Sequence, residues 1–102
     1  MSANLRVGIA GLGTVGATLA ARLLAEPQNG LKLTAVSARD GSKDRGFSRD
    51  GLDWHDDALS LSRAENVDIV VELIGGADGI ALDLVKLAIE NGKHVVTANK
   101  AL

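Results

Sequence analysis

The chain has 102 residues with a net charge of −2, no cysteine, 46 % hydrophobic residues and 2 % aromatic ones. This allows one small domain with an aliphatic core, and it argues against a disulfide framework, a thiolate metal site, nucleic acid and an anionic membrane as partners. No apolar run reaches transmembrane length and no signal-peptide core is present, so a soluble cytoplasmic protein is expected.

A short apolar run, Leu5 to Ala10, predicts a buried strand that ends in the pattern Gly11-x-Gly13-x-x-Gly16. A helix with one apolar stripe is predicted directly afterwards, over Thr14 to Ala25. Strand, glycine turn and helix start follow in the order that dinucleotide binding requires. Gly11 permits the tight turn, Gly13 lets the backbone approach a pyrophosphate, and Gly16 lets the helix pack closely on the strand.

The N-terminus of this helix offers free N–H groups and the positive end of its dipole to phosphates. The predicted cofactor-binding segment therefore comprises Gly11, Leu12, Gly13, Thr14, Val15 and Gly16. The alternative is a tight turn between strand and helix that binds nothing.

A second strand is predicted over Leu31 to Ala38, which completes a βαβ unit. The polar stretch from Arg39 to Asp53 predicts a loop, and Asp56 to Ala64 predicts a short helix of poor period. Trp54 is expected to cover an edge of the core.

The run from Asp68 to Ile74 predicts a central third strand, followed by a helix over Ile80 to Glu90 and a fourth strand over His94 to Thr97. Asn99 to Leu102 is expected to open another helix. This order of elements predicts an α/β fold, a Rossmann-type doubly wound parallel sheet whose ligand lies beyond the carboxyl ends of the strands.

The end of the second strand bears on the choice of cofactor. Arg39 stands where an acid would contact a ribose 2′-hydroxyl, and Lys43 and Arg45 follow it. A guanidinium suits a 2′-phosphate, which favours NADP. In the alternative, Asp40 takes the ribose and Arg39 is solvated, which gives NAD or the use of both cofactors.

Glu72 lies within an apolar strand, where an unpaired carboxylate would be costly. It could titrate near the site, or it could accept hydrogen bonds from backbone N–H groups of a neighbouring loop, and we favour this second, structural role. The cluster of Asp53, His55, Asp56 and Asp57 resembles a metal site, but it lacks ligand spacing and favours a solvated turn.

Lys100 follows the end of the fourth strand and is expected at the crevice. A lysine there can polarise a carbonyl or shuttle a proton if its surroundings lower its pKa. The alternative is a charge at a helix start that faces water.

Three stretches together, residues 7–16, 71–76 and 92–102, closely resemble homoserine dehydrogenase, and Thr97-Ala98-Asn99-Lys100 is the most specific part. The resemblance implies NAD(P)-linked interconversion of L-aspartate 4-semialdehyde and L-homoserine, with Lys100 in proton transfer. It places Thr97, Ala98 and Asn99 beside the nicotinamide and its ribose. It also places Gly75 and Gly76 close to the cofactor and Arg39 against the 2′-phosphate.

The resemblance also implies that residues 1–102 are a truncated NAD(P)-binding domain whose substrate domain is absent. We therefore expect the full-length enzyme to be a homodimer with a small-molecule substrate, and the fragment alone to be inactive. Two rival interpretations remain. One is another two-domain NAD(P)-dependent oxidoreductase, and the other is a nucleotide-sensing Rossmann module without chemistry.

Overall fold

One parallel β-sheet organises the residues that the computed structural model describes, which are 5–25, 30–38, 50–74 and 79–98. In chain order, the elements are β1 (Leu5–Ala10), α1 (Thr14–Ala25), β2 (Leu31–Ser37), β3 (Asp53–His55), α2 (Ala58–Leu61), β4 (Ile69–Glu72), α3 (Ile80–Glu90) and β5 (His94–Thr97). The strand order is β3-β2-β1-β4-β5, and every pair is parallel. This confirms the predicted Rossmann-type α/β fold.

The core lies on both faces of the sheet because side chains of a strand alternate between them. Ile9 of β1 belongs to one apolar cluster together with Leu23 of α1. The next residue, Ala10, belongs to a second cluster with Leu61 of α2 and Leu84 of α3. Strand β1 is therefore covered on both sides, as a central strand of a doubly wound sheet must be.

The predicted bounds of β1, α1, α3 and β5 are confirmed residue for residue. The predicted second and third strands are slightly too long, because β2 ends at Ser37 and β4 covers only Ile69–Glu72. The flanks of β4 nevertheless stay bonded to β1, since Asp68 N–H donates to the Arg6 carbonyl and Leu73 N–H to the Ala10 carbonyl. Asn99 to Leu102 lies outside the described residues.

The region before β4 differs most from the sequence-based expectation. The polar composition predicts a loop that includes Asp53, but this residue begins β3, which pairs with β2 through Ala35, Val36 and Ser37. Three residues are too few to show a period of two, and the pairing with β2 supplies the strand geometry instead. Trp54 packs against the cluster of α1, as predicted.

The short helix α2 covers Ala58–Leu61 rather than the predicted Asp56 to Ala64. Hydrogen bonds of the tighter i to i−3 type continue the turn as far as Ala64, which is where the predicted helix ends. None of the helices in the described parts of the chain has the length and apolar composition of a membrane span.

Charged side chains tie the strands together at the amino-terminal edge of the sheet. The Arg6 guanidinium donates to both carboxylate oxygens of Asp68 at 3.0 Å, and the Arg6 backbone N–H donates to Asp68 at 2.7 Å. Nearby, Lys93 Nζ donates to the carbonyl oxygens of Ala64 and Val67, each at 2.7 Å. These contacts hold the loop before β4 against β1 and β5.

This edge predicts a loss of stability in acid. The hydrogen bonds from Arg6 lower the pKa of Asp68 from 3.8 to about 2. Because the pKa is lower in the folded state, the contribution of Asp68 is present above pH 3.8 and is lost as the pH falls through about 2. We expect the difference in urea midpoint between the wild type and Asp68→Asn to shrink between about pH 4 and pH 2.

The matched control is Glu65→Gln, which removes an exposed carboxylate from the same loop. A difference between wild type and Asp68→Asn that stays constant down to about pH 2 would contradict the assigned role of the ion pair.

Candidate functional site

A crevice of about 500 Å³ opens at the carboxyl ends of β1, β2 and β4. Its wall is formed by residues at or just after the ends of these strands and of β3, together with the first residues of α2 and α3. They are Gly11, Leu12, Gly13, Ser37, Ala38, Asp56, Asp57, Ala58, Leu73, Ile74 and Ile80. Open α/β sheets bind their ligands at this edge, beside the point where the strand order reverses.

Gly11 makes the turn that carries the chain from β1 to α1. Its φ is +102°, and a Cβ would come within 2.8 Å of the Leu73 backbone, so both conformation and space require glycine. Its N–H donates to the Ser37 carbonyl at 2.9 Å. The turn is therefore hydrogen-bonded to the end of β2 and packed against the backbone that follows β4.

Gly16 sets how closely α1 approaches this turn. It is buried, and a Cβ on it would lie well inside contact distance of the Gly11 carbonyl oxygen. The close packing predicted for Gly16 is thus found, with the turn residue as its neighbour. Thr14 and Val15 are exposed in the first turn of α1, which contains no acidic residue to oppose a bound anion.

Gly13 behaves differently, because no contact within the described part of the chain requires a glycine there. It is exposed at the crevice wall, and a Cβ on it would meet no atom of the described residues within 4 Å. Its missing side chain leaves space for something outside the chain. The pyrophosphate of a dinucleotide at the N-terminus of α1 fits this space, so the residues present fit such a cofactor.

Two carboxylates that the sequence pattern assigns to a solvated turn, Asp56 and Asp57, are exposed in a bend as predicted, and they also line the crevice. Asp57 accepts a hydrogen bond from Leu59 N–H at 3.0 Å and caps α2, while Asp56 accepts from the Trp54 indole at 2.9 Å. Both directly follow β3, which brings them beside Ser37 at the end of β2. The short strand gives no sequence signal for this proximity.

The same acidic region does not form a metal site. Asp53 and His55 are strand residues rather than turn residues, and His55 Nδ1 pairs with Ser60 Oγ at 2.6 Å. Within the described ranges, no group of three histidine, cysteine or acidic side chains is arranged to hold a metal ion.

Glu72 joins the ends of β4 and β5 at the carboxyl edge of the sheet. It is fully buried, and its Oε2 accepts from Ile74 N–H at 2.7 Å, which confirms the predicted acceptor role. Its Oε1 accepts from the Thr97 hydroxyl at 2.5 Å. Sequence reasoning missed this second contact, because it joins residues 25 positions apart.

The structure brings the predicted site residues together only in part. Gly11, Leu12 and Gly13 line the crevice, whereas Thr14, Val15 and Gly16 continue from it into α1. Thr97 and Ala98 lie exposed at the end of β5, beyond the crevice wall. The remaining predicted site residues fall outside the described part of the chain, and they are Arg39, Gly75, Gly76, Asn99 and Lys100.

Comparison with known proteins identifies the family of this nucleotide-type site. The family model described as homoserine dehydrogenase, NAD binding domain, matches residues 11–102. The chain belongs to this family. Its match begins at the first glycine of the turn and includes the whole crevice wall.

Individual homoserine dehydrogenases agree with this assignment. The enzyme from Methylobacillus glycogenes is 42 % identical over 105 residues, covering 96 % of this chain and 25 % of the relative. A crystal structure of S. aureus homoserine dehydrogenase superimposes with a TM-score of 0.82 at 29 % identity, covering 98 % of this chain and 27 % of that one. The chain thus spans about a quarter of the length of these homoserine dehydrogenases.

A relative with a different name also matches. L-aspartate dehydrogenase from Bradyrhizobium diazoefficiens is 37 % identical over 99 residues, covering 96 % of this chain and 34 % of the relative. Similarity to this chain therefore extends to a protein with a name other than homoserine dehydrogenase.

The contrast between two glycines gives a matched pair of variants. We expect Gly13→Ala to leave the free energy of unfolding within about 0.5 kcal/mol of wild type but to weaken dinucleotide binding about tenfold or more. Gly16→Ala is expected to cost about 1–3 kcal/mol in stability, because its methyl group meets the Gly11 carbonyl. Denaturation curves and nicotinamide fluorescence titrations measure the two effects.

A Gly13→Ala protein that binds dinucleotide as tightly as wild type would contradict the placement of the pyrophosphate.

Proposed function

We propose that this chain is the NAD(P)-binding domain of a longer enzyme that interconverts L-homoserine and L-aspartate 4-semialdehyde, a step toward threonine and methionine. The observation that carries the proposal is a crevice with open space at Gly13, in a chain that belongs to the homoserine dehydrogenase family. We further propose that the complete enzyme is a cytoplasmic homodimer acting on this small-molecule substrate.

In this proposal, the backbone from Gly11 to Gly16 holds the pyrophosphate at the start of α1. The adenosine half of the cofactor extends toward the end of β2, as in other sheets of this strand order. The nicotinamide half then lies toward β4 and β5, where Thr97, Ala98 and Asn99 follow the last strand, and Gly75 and Gly76 follow β4.

The bound cofactor supplies the hydride chemistry, and Lys100 transfers the proton to or from the substrate oxygen. In the direction of aldehyde reduction, in which a bound cofactor would supply the hydride, Lys100 would give a proton to the substrate oxygen directly or through a held water. In the reverse direction it accepts that proton. Residues of the rest of the enzyme hold the substrate, so that the reacting atoms meet in the required orientation.

The cofactor proposed here is NADP, bound through Arg39 at the 2′-phosphate. NAD is the second candidate, and one observation favours it: Asp56 and Asp57 line the crevice beside the end of β2. Carboxylates near a phosphate disfavour it through like-charge repulsion. The preference therefore depends on which charge lies nearer to the ribose.

Titration with NADPH and NADH, followed by nicotinamide fluorescence, separates these candidates. If Arg39 binds the phosphate, Arg39→Ala weakens NADPH about tenfold or more and changes NADH less than about twofold. Arg22→Ala, an exposed cation in the last turn of α1, is the matched control and should change neither affinity. Equal affinity of the wild type for both cofactors, or no effect of Arg39→Ala, would instead support Asp40 at the ribose.

Lys100→Ala in the complete enzyme tests the chemistry and the rival interpretations. We expect kcat to fall about 10²- to 10⁴-fold with unchanged cofactor affinity, because the proton-transfer group is lost.

The 102-residue chain alone is expected to show no homoserine oxidation, and measurable turnover by it would refute this division of roles. A nucleotide sensor would show no turnover in the complete protein, and another oxidoreductase would prefer a different substrate, such as aspartate.

A further inference from the structure

Glu72 is a buried acid that forms hydrogen bonds at the ends of two strands, β4 and β5. It is the last residue of β4, paired with Ala10 of β1 on one side and Thr97 of β5 on the other. Its side chain is fully buried at the edge of the sheet where the crevice opens. The two carboxylate oxygens accept separately, Oε2 from Ile74 N–H at 2.7 Å and Oε1 from the Thr97 hydroxyl at 2.5 Å.

The chemistry of these groups fixes the direction of the second hydrogen bond. A carboxylate can only accept, and a threonine hydroxyl has one proton to donate. Because Thr97 gives that proton to Glu72, its oxygen retains only acceptor capacity toward any further partner. Thr97 is at the same time exposed at the end of β5. The buried acid therefore determines that the exposed Thr97 hydroxyl acts as a hydrogen-bond acceptor and not as a donor toward other partners.

The place of Thr97 in the sheet indicates which ligand group it would meet. The glycine turn follows β1, and the adenosine ribose of a dinucleotide lies toward β2 in this fold. Strands β4 and β5 lie on the opposite side of β1. By the same rule, the nicotinamide half of a bound dinucleotide would lie toward their ends. That half offers hydrogen-bond donors in its carboxamide N–H groups and its ribose hydroxyls.

We propose that Glu72 is a positioning residue that holds the Thr97 hydroxyl as an acceptor for a hydrogen-bond donor on the nicotinamide half of the cofactor. Glu72 acts through Thr97 and does not itself contact the ligand. Its bond to Ile74 N–H holds the chain after β4 in place at the same edge. The inference rests on the proposed dinucleotide site and adds a residue that orients a hydrogen-bonding group on the nicotinamide side of that site.

Substitution of Glu72 by glutamine reverses the direction of the hydrogen bond to Thr97 while keeping the shape of the side chain. In Glu72→Gln, the side-chain oxygen still accepts from Ile74 N–H, but the amide nitrogen donates to Thr97, whose own proton then points elsewhere. Thr97→Val removes the hydroxyl at nearly constant volume, and Thr97→Ser keeps it. These variants separate loss of the hydroxyl from loss of its orientation.

The experiment measures the affinities of the complete enzyme for three ligands: the reduced dinucleotide, ADP-ribose and ADP. All three either carry or lack the 2′-phosphate, according to the cofactor that the enzyme prefers. We expect Glu72→Gln and Thr97→Val each to weaken the dinucleotide about three- to tenfold, and Thr97→Ser to bind like the wild type. ADP, which lacks the nicotinamide half, should bind all variants equally. ADP-ribose identifies the donor, because it keeps the ribose hydroxyls but lacks the carboxamide.

The double variant Glu72→Gln/Thr97→Val shows whether Glu72 acts through Thr97. We expect it to bind no more weakly than Thr97→Val alone, since the group that Glu72 orients is already missing. The proposal is overturned if Glu72→Gln binds the dinucleotide like wild type, if it weakens ADP equally, or if the two effects add. A wild type that binds the dinucleotide no better than ADP contradicts the proposed function itself and overturns this role with it.

Discussion

The close contact between Gly16 and the Gly11 carbonyl is the constraint on which the site depends. It allows α1 to begin with only Gly11, Leu12 and Gly13 between it and β1, so that the N-terminus of the helix directly follows the crevice wall. The last residue of β1 and the first residue of the turn are bonded to the ends of the two neighbouring strands. Gly11 N–H donates to Ser37, and Leu73 N–H donates to Ala10. A wider approach of α1 would separate the helix dipole from the strand ends that form the crevice wall.

The two edges of the sheet use charge for different purposes. At the amino-terminal edge, Arg6 and Asp68 bond to each other and Lys93 bonds to carbonyl groups of a neighbouring loop, so these charges join strands. At the carboxyl edge, Glu72 also joins two strands, but one of its bonds ends on the exposed Thr97. A buried acid can therefore stabilise the sheet and orient a group outside the core at once, because its two oxygens accept independently.

Patterns within a few residues suffice to predict much of this molecule. The bounds of β1, α1, α3 and β5 follow from apolar periodicity and from glycine at the points where the chain turns. The spacing of three glycines is enough to place a turn at the crevice and a close contact at Gly16. Such features depend on backbone conformation and on side chains one helical turn apart, and the sequence contains both directly.

The sequence by itself determined the order of elements, the glycine turn and the family resemblance, whereas the tertiary structure decided which distant residues meet. Strand β3 exists because β2 is there to pair with it, and that pairing brings Asp56 and Asp57 to the crevice. Likewise, the Glu72–Thr97 contact needs β4 and β5 to be neighbours in register. No local pattern contains these contacts, because hydrogen bonding between strands depends on their order in the sheet and not on their separation along the chain.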